Sequence, residues 1–366
     1  MVMPEASEPT DYKHHKTFSN LVINLQDEVI GFEALYTSMY KCKKGVLWKA
    51  STAGFFLNGI ENIIKLEHDL KTGTYKPRLP YSFIITSPKP RNIMSICFRD
   101  RVYQRSLNDV AVYPQMTKSF IFDNFACQKN KGTDKARERL KFFLHRMYRH
   151  YGTAFYILQC DVHGYYPNMK HEIAKAKFKK GLDQISFDQC AKILDGQYQG
   201  SIGYNPGSQM VQIAGISVLD DLDHYIKERL HIKNYIRYMD DFILIHQDLA
   251  YLENCKATIE KQLAALNFEF NVKKTKLYPI HQGIMFLGFK FMLSSTGKLI
   301  MLVDPDSVKR ERKKLTKMAN LYRHGKIQKC KIYECYRCWK NHAGKGNSHN
   351  LIIRMDKFLK SLMKEV

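Results

Sequence analysis

The fold of this chain is decided by residues 235–245, which run Tyr235-Ile236-Arg237-Tyr238-Met239-Asp240-Asp241-Phe242-Ile243-Leu244-Ile245. Two adjacent carboxylates stand between apolar arms of β-favouring residues, and this pattern predicts a hairpin with Asp240 and Asp241 at its tip. An ordinary turn also explains adjacent Asp residues, because Asp accepts tight-turn geometry. The complete Tyr-Met-Asp-Asp box between two strand-like arms favours a functional tip, whose carboxylates would bind a hard cation such as Mg²⁺.

Such a cation site needs a further carboxylate from elsewhere in the chain, and residues 156–162 supply a candidate. They form an apolar, strand-like segment in which Asp161 stands at the end. Alone, Asp161 is better explained as a helix cap or a loop acid. Next to the Asp240–Asp241 tip, it would complete the two-metal arrangement that catalyses in-line nucleotidyl transfer.

These motifs resemble those of reverse transcriptases of the bacterial retroelement type, a group that includes diversity-generating, group II intron, retron and defence-associated enzymes. The resemblance covers nearly all of the chain and keeps the family's motif order. It implies an α+β fold, a right-hand polymerase with fingers, a palm of antiparallel sheet plus helices, and a helical thumb. It also implies four regions, namely a mostly helical N-terminal extension at 1–80, fingers at 81–150, a palm at 151–302 and a basic thumb at 303–366.

The composition agrees with a nucleic-acid partner. The 366 residues include 58 Lys and Arg against 35 Asp and Glu, a net charge of +23, which indicates a polyanionic partner. A basic surface that only confers solubility is the alternative. The nine Cys form no regular framework, and neither a signal peptide nor an apolar run of membrane length is present. We therefore expect reduced thiols and a cytoplasmic protein without a membrane partner.

The N-terminal region shows periodicity but no chemistry. Residues 1–16 are polar, and we expect a loose end there. Residues 51–71 predict one amphipathic helix, and its expected core positions are Phe55, Ile60, Ile63, Ile64 and Leu66.

A strand at 81–86 and a second strand after a turn predict a hairpin that carries Lys89 and Arg91. A solvated turn is the alternative. The resemblance places these two cations beside the incoming triphosphate of a dNTP.

Two further basic motifs follow. Arg99 and Arg101 lie at helical spacing, and by the resemblance they would contact template phosphates, although pairing with Asp100 is the alternative. Lys129 and Lys131 lie in a glycine-containing loop before a helix, where they supply charge for a phosphate backbone. The resemblance places that loop beside the template and the nucleotide.

The segment after Asp161 contains two adjacent aromatic residues. By the resemblance, the ring of Tyr166 packs under the incoming sugar and excludes a ribose 2′-hydroxyl, which selects dNTP over NTP. Only one of Tyr165 and Tyr166 can face that way, and we assign this role to Tyr166. A core tyrosine is the alternative. The resemblance also adds Val162 to the metal and nucleotide site.

A loop at 205–212 leads into an apolar helix. Gly207 and Gln212 match the family's loop beneath the templating base and nucleotide. Diversity-generating enzymes usually show Ser-Gln at the end of this motif, whereas Val211-Gln212 stands here. This departure weakens the assignment to that subgroup and leaves polymerase activity untouched.

Two later motifs complete the resemblance. Lys274 matches a lysine near the pyrophosphate leaving group, where it would act as general acid; a solvated basic loop is the alternative. Residues 283–289 resemble the primer grip, although a core strand pair is compatible with the same pattern. The resemblance assigns template and primer contacts to Tyr238, Met239, Phe286, Leu287 and Gly288.

From residue 303 onward the chain is predicted to be helical and basic, with 17 Lys and Arg against 6 Asp and Glu. A thumb there would grip a duplex without reading its sequence. Cys330, Cys335, Cys338 and His342 approach zinc-ligand spacing. The same spacing suits one face of an ordinary helix, which favours packing or duplex contacts for Trp339 and His342.

We therefore predict an RNA-directed DNA polymerase that extends a DNA primer on RNA with dNTPs and Mg²⁺, for which Mn²⁺ could substitute. The resemblance assigns catalysis to Asp161, Asp240, Asp241 and Lys274. Because the chain ends at the thumb, we expect no RNase H, endonuclease or integrase domain. Template choice would then come from a cognate non-coding RNA, an accessory protein or both, and the expected partners include an accessory protein or a homo-oligomer. A role in antiphage defence is slightly favoured over diversity generation, and a catalytically silent RNA-binding scaffold is the alternative outside the enzyme class.

Overall fold

The computed structural model describes residues 27–86 and 90–364, so Lys89 and the polar residues 1–16 lie outside the described residues. The described chain combines helices with three antiparallel sheets, which confirms the predicted α+β class. It divides into two compact units. The first unit holds the described residues up to Ser119 together with Lys170–Ser217, and the second holds Phe120–Met169 and the described residues from Val218 onward. The division into extension, fingers, palm and thumb stays a prediction.

The helices and strands are numbered here in chain order. The strands are β1 Tyr81–Ile85, β2 Arg91–Ser95, β3 Tyr156–Asp161, β4 Asn234–Tyr238, β5 Asp241–His246, β6 Lys276–Pro279, β7 Ile284–Phe286, β8 Phe289–Leu293 and β9 Leu299–Val303. The helices are α1 Phe32–Lys43, α2 Ala50–Leu57, α3 Gly59–Lys71, α4 Phe98–Leu107, α5 Tyr113–Met116, α6 Thr133–Tyr151, α7 His171–Gly181, α8 Gln184–Gln197, α9 Gln209–Ser217, α10 Asp220–His224, α11 Leu249–Ala265, α12 Pro305–Arg323, α13 Lys329–Ala343 and α14 His349–Lys364.

The second unit contains a four-stranded antiparallel sheet in the order β4-β5-β3-β6. The stretch at 235–245 forms the predicted hairpin, in which β4 and β5 are joined through Met239 and Asp240. All residues of β4 and β5 except Tyr238, Asp241 and His246 are buried, and Ile236, Ile243 and Ile245 pack in a core cluster with helices of the same unit.

A large hydrophobic core cluster lies within the second unit. Helix α6 contributes buried side chains at three- and four-residue spacing, namely Ala136, Leu140, Phe143, Leu144 and Met147. The same core includes residues of the four-stranded sheet, of the three-stranded sheet β7-β8-β9 and of helices α12 to α14. The predicted helical character of the C-terminal region is thereby confirmed.

The prediction of a single helix at 51–71 is wrong. Helix α2 ends at Leu57, and α3 begins anew at Gly59 after Asn58. Asn and Gly favour turns over helix interiors, which explains the break at this pair. The interruption changes which face of the second half is buried, so that Ile60 is 59% exposed and Ile64 is 54% exposed.

Within the described residues, no helix is both long enough and apolar enough to span a bilayer.

Candidate active site

Strand register in the second unit brings the three predicted carboxylates together. Asp161 is the last residue of β3 and stands directly opposite Asp241, the first residue of β5. Directly opposed residues of antiparallel strands have Cβ atoms about 5 Å apart. The backbone N–H of Val162 donates to the carbonyl oxygen of Asp240 at 3.3 Å, which ties the hairpin turn to the end of β3. The corner therefore concentrates three acids.

Two of these acids, Asp240 and Asp241, have raised pKa values, chiefly because they are buried. Burial raises the pKa of the Asp241 carboxyl to about 7, and the charges of Asp161 and Asp240 add to the effect. Burial also raises the pKa of Asp240, again with a contribution from Asp161. A cation at this corner would relieve the repulsion, and it would favour the ionised form of both carboxyls.

The donor set fits a hard divalent cation. The Oδ1 atom of Asp241 is buried without a hydrogen-bond partner, and carboxylate oxygens are the ligands that Mg²⁺ takes. The side chains do not, however, converge on one point. Among the described residues, no three His, Cys, Asp or Glu side chains are placed so that they could hold one metal ion.

The ammonium of Lys274 lies at the same corner. Its Nζ is 2.5 Å from Oδ2 of Asp161, and the lysine side chain remains 54% exposed. The turn that carries Lys274 is fastened to β3, since the N–H of Asn271 donates to the Asp161 carbonyl at 2.7 Å and the N–H of Asp161 faces Oγ1 of Thr275 at 3.3 Å. Sequence reasoning found Lys274 but missed Asn271 and Thr275, because nothing in their local sequence distinguishes them from ordinary turn residues.

The two tyrosines after Asp161 differ in exposure. Tyr165 is buried, with its ring 5.0 Å from the ring of Phe268. Tyr166 is only partly buried, so part of its side-chain surface is accessible. The side chain of Val162 is buried, and this leaves its backbone as the part that a metal or nucleotide would meet.

The turn at 239–240 has a strained backbone. Met239 adopts a φ of 59°, a left-handed conformation that is unusual for a residue with a side chain. Its carbonyl oxygen accepts a hydrogen bond from Nη1 of Arg237 at 2.9 Å. Tyr238 packs against the core of the second unit.

The predicted primer-grip residues form a second tight turn between β7 and β8. Phe286 is buried and pairs with Phe289, and the two residues between them, Leu287 and Gly288, both have positive φ angles of 47° and 83°. Positive φ at both central positions is typical of a type I′ hairpin. The carbonyl of Leu287 accepts from Nη1 of Arg137 at 3.0 Å.

A side chain of β3 links the two sheets of the second unit. Gln159 donates through Nε2 to the carbonyl of Met285 at 2.8 Å and accepts from the hydroxyl of Tyr278 at 2.9 Å. Gln159 therefore connects the strand that carries Asp161 to the β7–β8 hairpin. Sequence reasoning did not single out this residue.

The two lysines of the glycine-containing loop are used differently. The Nζ of Lys131 donates to three carbonyls of its own loop, those of Ile121, Phe122 and Asn124, at 3.4, 2.9 and 2.8 Å. Burial lowers the pKa of this ammonium. Lys131 thus holds the loop together, whereas the side chain of Lys129 is exposed.

The remaining predicted residues belong to the first unit. Arg99 donates to the carbonyl of Lys76 at 2.6 Å and to the buried Asp100 at 3.2 Å, so the alternative of internal pairing is realised. Nη2 of Arg101 donates to the carbonyl of Ile96 at 3.4 Å.

Gly207, Gln212 and Arg91 occupy the first unit as well. A Cβ on Gly207 would lie 1.9 Å from the carbonyl oxygen of Met94, so only glycine permits this approach of the loop to β2. Gln212 is exposed on α9. Arg91 stands opposite Ile85 at the first position of β2.

The structure gives no support to the zinc interpretation of the C-terminal cysteines, since the absence of a three-ligand group among the described residues extends to α13. The ring of His342 lies 4.8 Å from the ring of Phe289, and Trp339 is buried with Nε1 facing Oγ of Ser307 at 3.4 Å. Both side chains therefore make packing contacts, one of the two roles expected of them, while their contact with a duplex stays a prediction.

Comparison with known proteins identifies the family. Residues 85–291 match the family described as reverse transcriptase (RNA-dependent DNA polymerase). This match covers more than half of the chain, and the chain belongs to that family. The predicted enzyme class, RNA-directed DNA polymerase, and the reverse transcriptase fold are confirmed at the level of the family. Curated protein sequences give no match.

Solved telomerase structures show a distant likeness to this chain. Apo telomerase from Candida tropicalis is 12% identical at a TM-score of 0.48, over 62% of this chain and 49% of the telomerase chain. Telomerase from Candida albicans with a fragment of telomeric RNA is 11% identical at a TM-score of 0.46, over 70% and 55% of the two chains. This chain thus spans about half the length of these telomerases.

Proposed function

We propose that this chain is a reverse transcriptase of the bacterial retroelement type, which extends a DNA primer on an RNA template with dNTPs. One observation carries the proposal. In a chain of the reverse transcriptase family, Asp161 and Asp241 face each other across neighbouring strands, and Asp240 lies in the adjoining turn.

The three carboxylates and the backbone of Val162 would hold divalent cations, Mg²⁺ by preference and Mn²⁺ as a substitute. When bound, such cations supply the charge that activates the primer 3′-hydroxyl and neutralises the leaving pyrophosphate. The raised pKa values of Asp240 and Asp241 follow from burial and from their proximity, and cation binding would favour the charged forms that nucleotidyl transfer needs.

Lys274 would act on the leaving group. Its exposed side chain already reaches the acidic corner, and a proton on Nζ is available for the pyrophosphate oxygen. To reach that oxygen, the ammonium would have to leave Asp161, which a metal on the same carboxylate would favour. Tyr166 would pack under the sugar and exclude a 2′-hydroxyl.

The remaining contacts are proposed from the resemblance and from where the residues lie. Template and primer would meet Tyr238, Met239 and the turn Phe286–Gly288 in the second unit, together with the exposed Lys129. In the first unit, we propose Arg91, Arg99, Arg101, Gly207 and Gln212 for nucleotide or template contacts. From the resemblance alone we add Lys89, which lies outside the described residues. The basic helices α12 to α14 would contact a duplex backbone without reading sequence.

We further propose that the template is a cognate non-coding RNA and that the enzyme serves antiphage defence. The departure at Val211 supports defence over diversity generation. This residue is fully buried in α9, and so it is part of the packing of that helix. An accessory protein would assist in template choice, and a homo-oligomer is the alternative partner.

The test is primer extension by purified protein with the RNA that co-purifies, in Mg²⁺ and labelled dNTPs. Asp240→Asn is the inactive variant, and Asp195→Asn, which removes a surface carboxylate of the first unit, is the matched control. We expect DNA complementary to the bound RNA from wild type and control, and none from Asp240→Asn. A well-folded wild type without product on any primer–template would refute polymerase activity, and product that matches no bound RNA would refute the cognate-template proposal.

A further inference from the structure

A fully buried ion pair lies beneath the turn that carries Asp240. Arg237 of β4 and Asp223 of α10 have no exposed side-chain surface. Nε of Arg237 donates to Oδ1 of Asp223 at 2.7 Å, and Nη2 donates to Oδ2 at 2.6 Å. Charged side chains are rarely buried completely, and a two-point guanidinium–carboxylate contact is among the most directional pairings in proteins.

The pair is fixed further by its neighbours. The hydroxyl of Tyr235 donates to Oδ1 of Asp223 at 2.6 Å, so the carboxylate accepts from two side chains. The backbone of Arg237 is also held, because its N–H donates to the carbonyl of Asp123 and its carbonyl accepts from Phe125, both at 3.0 Å. These contacts leave the guanidinium little freedom to rotate.

The third nitrogen of the Arg237 guanidinium contacts the turn at Met239 and Asp240. Nη1 of Arg237 donates to the carbonyl oxygen of Met239 at 2.9 Å. Met239 is the residue with a φ of 59°, a left-handed conformation that is strained for an L-residue. A hydrogen bond from a charged donor is stronger than one between neutral groups, and here it offsets this strain. The carbonyl that is fixed in this way belongs to the peptide that leads directly into Asp240.

We propose that Asp223 and Arg237 are positioning residues for the Asp240–Asp241 pair. They act through the carbonyl of Met239, and they set the direction in which the two carboxylates leave the turn. The inference rests on the proposed function. A pair that served only stability would need no third contact, since buried ion pairs are often replaceable by apolar residues without loss of stability.

The experiment compares two variants with a matched control. Asp223→Asn removes the charge that orients Arg237, and Asp223→Leu/Arg237→Met replaces the pair by apolar side chains that can fill the same space. Asp100→Asn is the control, because Asp100 is an equally buried carboxylate that accepts from Tyr75 and Arg99 in the first unit.

Two dependences on Mg²⁺ are measured for each protein. The first is the Mg²⁺ concentration that gives half of the maximal rise in melting temperature, and the second is the concentration that gives half-maximal primer extension. In both Asp223 variants we expect these concentrations to rise about tenfold or more, because residues behind metal ligands typically contribute that much to metal affinity. Asp100→Asn should lower the melting temperature but leave both concentrations unchanged.

The outcomes separate the positioning role from the proposed function. If the double variant folds and keeps the wild-type Mg²⁺ dependence and turnover, the positioning role is wrong while the polymerase stands. A wild type that Mg²⁺ stabilises but that makes no DNA would refute the polymerase, and the tenfold shift in stabilisation would still support positioning. A wild type that responds to Mg²⁺ in neither measurement would overturn both.

Discussion

Replacing Asp241 by Asn should stabilise the metal-free protein at neutral pH while abolishing its proposed activity. The pKa of this carboxyl is raised from 3.8 to about 7, first by burial and then by the neighbouring charges of Asp161 and Asp240. An unfolded Asp titrates near pH 4. Between about pH 4 and pH 7 the folded chain therefore keeps a proton that the unfolded chain has released. The free energy of unfolding must fall as the pH rises through this window.

The size of the effect follows from the shift. A change from 3.8 to about 7 corresponds to a ceiling of about 4 kcal/mol, at 1.36 kcal/mol for each pH unit. The side chain of Asp241 is only partly buried, so water relaxes some of this penalty and about 1–2 kcal/mol is the expected value. Asn has nearly the same shape and carries no charge, and it should recover this amount at pH 8 and almost nothing at pH 4.

Urea denaturation in EDTA at several pH values measures the gain. Asp195→Asn is the matched control, because this exposed carboxylate lies 2.8 Å from the Lys175 ammonium in the first unit and its removal should bring no gain. Excess Mg²⁺ should stabilise wild type more than Asp241→Asn. If Asp241→Asn is no more stable than wild type at pH 8, or follows the same pH dependence between pH 4 and pH 7, the electrostatic account of this corner is wrong.

Three further predictions concern other sites. Gly207→Ala places a Cβ 1.9 Å from the Met94 carbonyl, and should lower the free energy of unfolding in urea by about 1–3 kcal/mol; an unchanged value would mean that the loop moves freely. Lys131→Met removes the ammonium that donates to three carbonyls, and it should lower the free energy of unfolding in urea by about 1–3 kcal/mol. Weaker RNA binding at an unchanged free energy of unfolding would instead assign Lys131 to phosphate contacts. Tyr166→Ala should raise rNTP incorporation relative to dNTP by about tenfold in a competition assay, and an unchanged ratio would contradict its role under the sugar.

The central hairpin could be predicted because its signal is local. Apolar, β-favouring residues flank Asp240 and Asp241, and a strand-like segment precedes Asp161. Each strand can therefore be predicted from a few consecutive residues. Their proximity was inferred from chemistry, since paired carboxylates are useful only together. The register of β3 against β5 then places Asp161 opposite Asp241.

Asp223 could not be found in the same way. It follows Asp220 and Asp221 in the acidic segment that forms α10, and nothing local marks which of the three is buried opposite Arg237. Burial here depends on how α10 packs against β4, which is a property of the folded chain. The contact of the Lys131 ammonium with the Asn124 carbonyl could not be predicted for the same reason, because it depends on the folded loop.

The break between α2 and α3 was not predicted, although the sequence contains a local signal for it. Asn58-Gly59 is a turn-favouring pair in the sequence, but the apolar periodicity of the flanking residues outweighed it. Exposure of Ile60 and Ile64 shows that the periodicity did not extend across the pair.

The turn proposed for catalysis and the turn proposed for primer binding are stabilised in the same way, by an arginine that donates to a residue with positive φ. Met239 and Leu287 both hold a left-handed backbone conformation without being glycine, with φ angles of 59° and 47°. In each case the carbonyl of the strained residue accepts from a buried arginine, Arg237 at 2.9 Å and Arg137 at 3.0 Å. A glycine would relieve the strain but would also leave the turn flexible, whereas a side-chain residue held by a fixed guanidinium has one conformation. Both turns would therefore be set before a ligand binds, as the proposed alignment of a primer end with the three carboxylates would require.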